Sequence, residues 1–315
     1  MLAIRDTSMH SPTLGLTAGM KAVVASVTAN VILGASSIYW KALSSFTPLA
    51  LLCYRILFSL ITLSLILSVK KEALTLVKRI SLKLITVHIF AAALVVINWG
   101  TFIWASIHGH ILESGLGYLL APFVAIAVGT LALGDKTSTT RSIALVIIAI
   151  TVGYLLKTGG DLTHWVYLTI GITWGGYACL KKWTTLDSFS GLFVETAVLT
   201  MLIPLLLITL PVTLSLPTDI LNSELALLGL CGLFSVIPLT LFSFAAARLP
   251  LSLMGFFQFV LPLTQLFVAL VVYRQSTSSS TLWCFTVIGL SLALIMLESF
   301  LGIRNLSTEK IIDKK

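Results

Sequence analysis

Apolar stretches of about 20 residues follow one another along almost the whole chain, and each is long enough to cross a ~30 Å hydrocarbon core as a helix. Ten can be drawn: 20–41, 48–69, 84–107, 111–133, 141–157, 163–181, 190–210, 224–247, 251–273 and 281–303. A mean hydropathy of +1.05 with 10% charged residues leaves too little polar surface for a water-soluble chain. The expected class is therefore an all-α polytopic membrane protein with no soluble domain. No basic segment followed by an apolar core and a cleavage site stands in the first 19 residues, so no cleaved leader is expected. The four cysteines, Cys53, Cys179, Cys231 and Cys284, lie in apolar segments without CxxC spacing. They read as small buried apolar residues rather than as disulfides or metal ligands.

Charge in the connectors orients the chain. A net charge of +8 in a soluble protein would suggest nucleic acid; here it follows the topology. With ten spans both termini share a side. If that side is the cytoplasm, inner segments hold 16 Lys and Arg residues, and outer segments hold only Lys41, Lys157 and Arg274. That is a strong positive-inside bias.

The chain also resembles itself at an offset of 140 residues. Gly115 and Pro122 fall on Gly255 and Pro262, Lys41 on Lys181, Phe102 on Phe242, Ala105 on Ala245 and His108 on Arg248. Each unit then holds five spans. An odd number makes the second unit enter the membrane inverted, the architecture of many secondary transporters. The expected division is a tail at 1–19, a first five-helix repeat at 20–157, a second, inverted repeat at 163–303 and a tail at 304–315.

Two charges lie deep in spans. Arg55 is about eight residues from a span end, or ~12 Å at 1.5 Å per residue. A charge at such depth costs ~2.5–3.5 kcal/mol on insertion scales, so it should face protein or water. Glu195 is its equivalent in the other half, and the two are expected on either side of the midplane within several ångströms along the normal. They could bind opposite ends of a zwitterion or pair with each other. Glu113 opens a span, where an acid is also favoured by the helix dipole. His108 and His110 beside it do not make a metal site, for lack of a fourth ligand. Asn98, Trp99, Trp104, Tyr118, Trp174, Tyr177 and Gln258 are further candidates for a pocket wall, with helix packing or interhelical hydrogen bonds as the plain alternative. The chain shows no P-loop, no HExxH and no convergent nucleophile, base and oxyanion donors, so neither ATP, a metal, another cofactor nor catalysis is expected.

These residues resemble the RarD proteins, EamA-type transporters of the bacterial drug/metabolite transporter superfamily. The resemblance is carried by Arg55, Asn98-Trp99, Phe102-Ile103-Trp104-Ala105, Leu112-Glu113, Leu116-Gly117-Tyr118 and Pro122. In the second half it is carried by Lys181-Lys182, Glu195-Thr196, Pro238, Arg248, Gly255-Phe256-Phe257-Gln258 and Pro262. The sequence departs from the pattern at Leu133-Gly134-Asp135-Lys136, where many relatives carry Gly-Glu, and at Tyr273-Arg274-Gln275. The resemblance implies two inverted five-helix repeats around a cavity lined by spans 1, 3, 4, 6, 8 and 9, in a bacterial inner membrane. It implies transport of metabolites such as amino acids, choline or S-adenosylmethionine.

The expectation is thus an alternating-access transporter, secondary-active or facilitative, of small amino-acid-like metabolites, including S-adenosylmethionine-type compounds. Its binding residues would be Arg55, Asn98, Trp99, Trp104, Glu113, Tyr118, Trp174, Tyr177, Glu195 and Gln258. Drug efflux and a lipid-related role are the alternatives. Expected partners are a small-molecule substrate and the bilayer, with no nucleic acid and the chain a monomer.

Overall fold

The computed structural model describes residues 16–312 apart from 133, 136, 159–162, 210–213, 215, 218–219 and 275–277. No strand occurs among the described residues. The helices are α1 Leu16–Lys41, α2 Pro48–Val69, α3 Ala73–Arg79, α4 Leu82–His108, α5 Ile111–Leu131 and α6 Thr139–Thr158. They continue as α7 His164–Leu180, α8 Ser188–Thr209, α9 Asn222–Ala246, α10 Leu251–Gln258, α11 Val260–Phe267 and α12 Ser279–Ile312, with a π turn at Val268–Val272. By length and composition, eight helical stretches among the described residues can cross a membrane. α7 is shorter, at 17 residues, and α12 has an apolar core at Leu282–Ile295.

The ends follow from local chemistry. Thr47 caps α2 through its hydroxyl on the Ala50 N–H, with Pro48 at the first helical position. Gly109, at φ +84°, ends α4 in the left-handed conformation that glycine adopts without cost. The connector 70–83 holds the short helix α3, which the apolar pattern did not reveal. The ninth expected span is not one straight helix. Proline has no N–H and crowds the carbonyl four residues back; Pro262 does this to Gln258, and the helix breaks there into α10 and α11. Pro122, Pro204 and Pro238 leave α5, α8 and α9 unbroken.

The bundle is sorted by burial. The most apolar windows of α5 and of residues 253–272 are each 61% buried, against 22% for α6. α5 and α10–α11 are therefore the centre and α6 the periphery. Peripheral faces expose Ile143, Val146 and Ile150 on α6 and Met201, Leu205 and Ile208 on α8. Such faces suit hydrocarbon and would be unstable in water.

The packing is paired. α1 packs on α9 and on α10–α11, while α7 packs on α4 and α5. α2 meets α9 and α4 meets α8; α5 meets α10, α2 meets α8 and α6 meets α12. Two glycines bring helices into close approach. A Cβ on Gly34 of α1 would lie 2.6 Å from the Leu261 carbonyl oxygen and 2.7 Å from Thr264 Cβ. A Cβ on Gly175 of α7 would lie 2.8 Å from the Ala121 carbonyl oxygen and 2.6 Å from Val124 Cβ.

Candidate functional site

A line of polar and aromatic side chains runs through the interior from Arg55 to Glu195. Arg55 sits in the first third of α2 and is 3% exposed. Its guanidinium lies over Trp99 at 3.9 Å and over Trp40 at 4.8 Å from the ring centres. Nε donates to Ser235 Oγ of α9 at 3.0 Å, and Nη1 has no partner. No carboxylate among the described residues forms an ion pair with it. The two indoles offer their faces to the cation, an arrangement that strengthens when water is excluded.

Asn98 precedes Trp99 and continues the line. Its Nδ2 donates to Thr173 Oγ1 at 3.2 Å, and its Oδ1 accepts from the Tyr118 hydroxyl at 3.0 Å. Tyr118 meets Trp174 edge to face at 6.0 Å between centroids; Trp174 stacks on Tyr177 at 5.7 Å and leans on Phe242 at 4.8 Å. The Trp174 indole N–H is buried without an acceptor. The Tyr177 hydroxyl donates to Glu195 Oε2 at 3.0 Å.

Glu195 is 1% exposed, and its charge is answered locally. Lys181 Nζ donates to its Oε1 at 2.5 Å, and His88 Nδ1 lies 2.9 Å from the same oxygen. His88 Nε2 is 2.8 Å from Thr184 Oγ1. A buried ion pair needs such extra hydrogen bonds to offset desolvation. Glu195 and Arg55 are not partners. Their contacts on α4, His88 and Trp99, are 11 residues apart, or about 16 Å along the helix. The separation of several ångströms expected from sequence is therefore too small.

Among the described residues, three other candidates make no hydrogen bond or ring contact with this line. Trp104 is stacked between His108 and His110, at 4.7 and 4.9 Å, and touches Trp165 at 5.0 Å. Glu113 accepts from His110 Nδ1 at 2.9 Å and from the Thr163 N–H at 3.5 Å. Together these residues tie the end of α4 and the start of α5 to the start of α7. His108 Nδ1 is taken up by the Trp104 carbonyl. Gln258, at the break between α10 and α11, has both amide atoms buried without partners. Among the described residues no three His, Cys, Asp or Glu gather as a metal site, and the four cysteines are buried and free.

Sequence reasoning missed His88, Lys181, Trp40, Ser235 and Thr184. His88 carried the signal that singled out Arg55, an ionisable residue inside an apolar span. Lys181 was counted as connector charge, yet it is 4% exposed. The departure from the family pattern at Asp135 lies in the field of Lys182: burial lowers the ammonium pKa and Asp135 opposes the shift.

A bundle of membrane-length helices with an arginine and a carboxylate cluster sealed in its interior has the build of a multi-pass membrane transporter. Comparison with known proteins makes the assignment specific. An uncharacterized transporter of Vibrio cholerae serotype O1 is 30% identical over 285 residues, 88% of this chain and 92% of that one. The uncharacterized transporter YojE of Bacillus subtilis is 32% identical over 280 residues, 87% and 93% of the two chains. Protein RarD of Salmonella typhimurium is 29% identical over 283 residues, 88% and 95%. The chain belongs to this RarD family of transporters. No family model matches the sequence. A solved crystal structure of 13% identity superposes with a TM-score of 0.66, over 89% of this chain and 98% of its own, a likeness of fold alone.

Proposed function

We propose that the chain is a ten-span, alternating-access transporter of small amino-acid-like metabolites, with two inverted five-helix repeats and both termini in the cytoplasm of a bacterial inner membrane. The repeat reading is supported by reciprocal contacts. Gly34 lies against residues 261 and 264, and Gly175, 141 residues after Gly34, lies against 121 and 124, which are 261 and 264 less 140. His108 folds back on the ring and carbonyl of Trp104; Arg248, 140 residues on, folds back on the ring and carbonyl of Phe244.

The observation that carries the substrate class is Arg55, a buried cation with an unpartnered N–H and, among the described residues, no carboxylate paired with it. A carboxylate on the substrate would supply the missing charge. Trp99 and Tyr118 stand next to it and, as aromatic rings, would attract an amine or sulfonium. A free amino acid is too short to touch Glu195 as well; an extended molecule such as S-adenosylmethionine could reach along the line. One arginine suits a carboxylate and not a nucleotide or sugar phosphate. The lateral grooves argue against a lipid role. The one of about 580 Å³ between α1 and α9 is lined mainly by apolar Met20, Val24, Leu241 and Phe244, while the polar line lies inside.

The test is uptake and counterflow in proteoliposomes with labelled L-tryptophan and S-adenosylmethionine, challenged by unlabelled competitors. Zwitterions with a carboxylate should compete; stronger block by a sugar phosphate than by any of them would end this reading. Reporter fusions at Lys71, Lys182 and Arg248 should score cytoplasmic and one after Asp161 external. A cytoplasmic score after Asp161 would break the inverted repeat.

A further inference from the structure

We propose that His88, Glu195 and Lys181 form a proton-binding site whose occupancy controls the opening of their end of the bundle. The inference rests on the transport reading above. Three observations carry it. The first is where the contacts fall. His88 is on α4, Glu195 on α8, and Lys181 follows α7. In the repeat reading α4 belongs to one half and α7 and α8 to the other. The bond between His88 and Glu195 therefore crosses between halves, and this end cannot open without breaking it.

The second is that the surroundings of His88 fit it both neutral and charged. Neutral, its Nδ1–H donates to Glu195 Oε1, and its bare Nε2 accepts from the Thr184 hydroxyl. Charged, Nε2 carries the added proton and donates to the Thr184 oxygen. That hydroxyl can reverse by rotation while still accepting from the Leu186 N–H. The proton that leaves is the one on Nε2; it passes by way of Thr184 to water, and the Nδ1–H bond to Glu195 stays intact. Thr184 is only half-buried whereas His88 is fully buried, so the hydroxyl is the way out.

The third is that the pocket is built to hold both cations on one carboxylate. Gly191 lies one turn before Glu195 on α8. A Cβ there would meet the His88 ring at 3.0 Å and Lys181 Nζ at 3.6 Å, so its absence makes the room.

The groups facing the site are few. From α7 and its end come Lys181 and the Tyr177 hydroxyl, from the connector between α7 and α8 Thr184, and from α4 His88. Lys70, just after α2, lies over the ring of Phe189 at 4.1 Å and faces the Asp187 carboxylate, which is itself held by the Phe189 and Ser190 N–H groups at the start of α8. On α9, Ser243 lies beside Tyr177 and carries no charge. With His88 neutral, Glu195 and Lys181 cancel. With it charged, the bond to Glu195 becomes an ion pair, and Lys181 on the same oxygen stands as a second cation beside it. Opening breaks this bond and so changes how His88 holds a proton; by linkage, the occupancy of that proton shifts the balance between closed and open. A change in proton binding then accompanies opening, which ties substrate movement to proton movement.

The experiment uses the full chain in proteoliposomes, with the potential clamped by potassium and valinomycin and labelled L-tryptophan or S-adenosylmethionine as probe. Counterflow at equal pH is compared with accumulation driven by one pH unit. In the wild type the gradient supports accumulation approaching about tenfold, the limit for one proton per substrate. In His88→Gln, and in the milder Thr184→Val, accumulation falls toward unity while counterflow falls far less. A wild type indifferent to the gradient, or a His88→Gln variant that responds like the wild type, overturns the proposal. If neither probe gives counterflow, it is the substrate reading that fails, and acid–base titration of the detergent-solubilised protein decides this one. The wild type should take up one proton more than His88→Gln across the pH range in which both stay folded; equal uptake overturns the proposal.

Discussion

Arg55→Ala should abolish uptake, by about 100-fold or more, and leave the protein close to the wild type in stability. The two halves of this expectation have one cause. The guanidinium is buried between two indoles with one N–H unpartnered and, among the described residues, no carboxylate paired with it. Removing a buried charge that has no carboxylate relieves a desolvation cost, which offsets the lost contacts with Ser235, Trp40 and Trp99. Truncating one member of a buried, hydrogen-bonded charge pair costs ~2–5 kcal/mol of binding, and a bound carboxylate would be the other member here. Arg55→Lys should lose at least about tenfold, because an ammonium can neither lie flat against Trp99 nor present two parallel N–H groups. Counterflow rates and thermal unfolding in detergent measure the two effects. Wild-type counterflow in Arg55→Ala would remove Arg55 from the site. A sharp drop in stability with transport reduced only in proportion would make it a structural residue.

The parts of this molecule legible in sequence were those with a steep energetic signature. Membrane class followed from apolar runs, because a helix that crosses hydrocarbon must carry about 20 apolar residues in a row. Arg55 and Glu195 were legible because a charge in an apolar span demands a reason. Asn98, Trp99, Tyr118, Trp174 and Tyr177 were legible as a set, but only coordinates order them into one line. What the sequence hid were the partners. Lys181 sits at a helix end, where a lysine that snorkels to water and one turned inward onto a carboxylate look alike. Trp40 and Ser235 are ordinary span residues until α2 brings Arg55 to them. The break after Gln258 depends on whether the carbonyl that loses its partner to Pro262 is tolerated. Pro122, the equivalent residue in α5, leaves its helix whole.

The cluster around Glu195 gives the largest expected change in stability. Glu195→Ala leaves Lys181, 4% exposed, without its carboxylate, and leaves His88 and Tyr177 without an acceptor. Removing one partner of a buried ion pair typically costs ~3–5 kcal/mol, since the remaining charge is desolvated and unpaired. Lys181→Met makes the complementary defect, a buried carboxylate facing only His88 and Tyr177. It should cost less, because those two donors still satisfy the oxygens. The double variant Glu195→Ala with Lys181→Met exchanges the pair for apolar groups and should recover most of the loss, a coupling that additive single effects cannot give. Its transport should stay impaired even where its unfolding temperature returns to near wild type, because the crossing between α4 and α8 is gone. The measurement is thermal unfolding of the four proteins in one detergent. If Glu195→Ala unfolds at the wild-type temperature, the cluster contributes no net stability. If the double variant is the least stable of the four, the charges are supported by something other than each other.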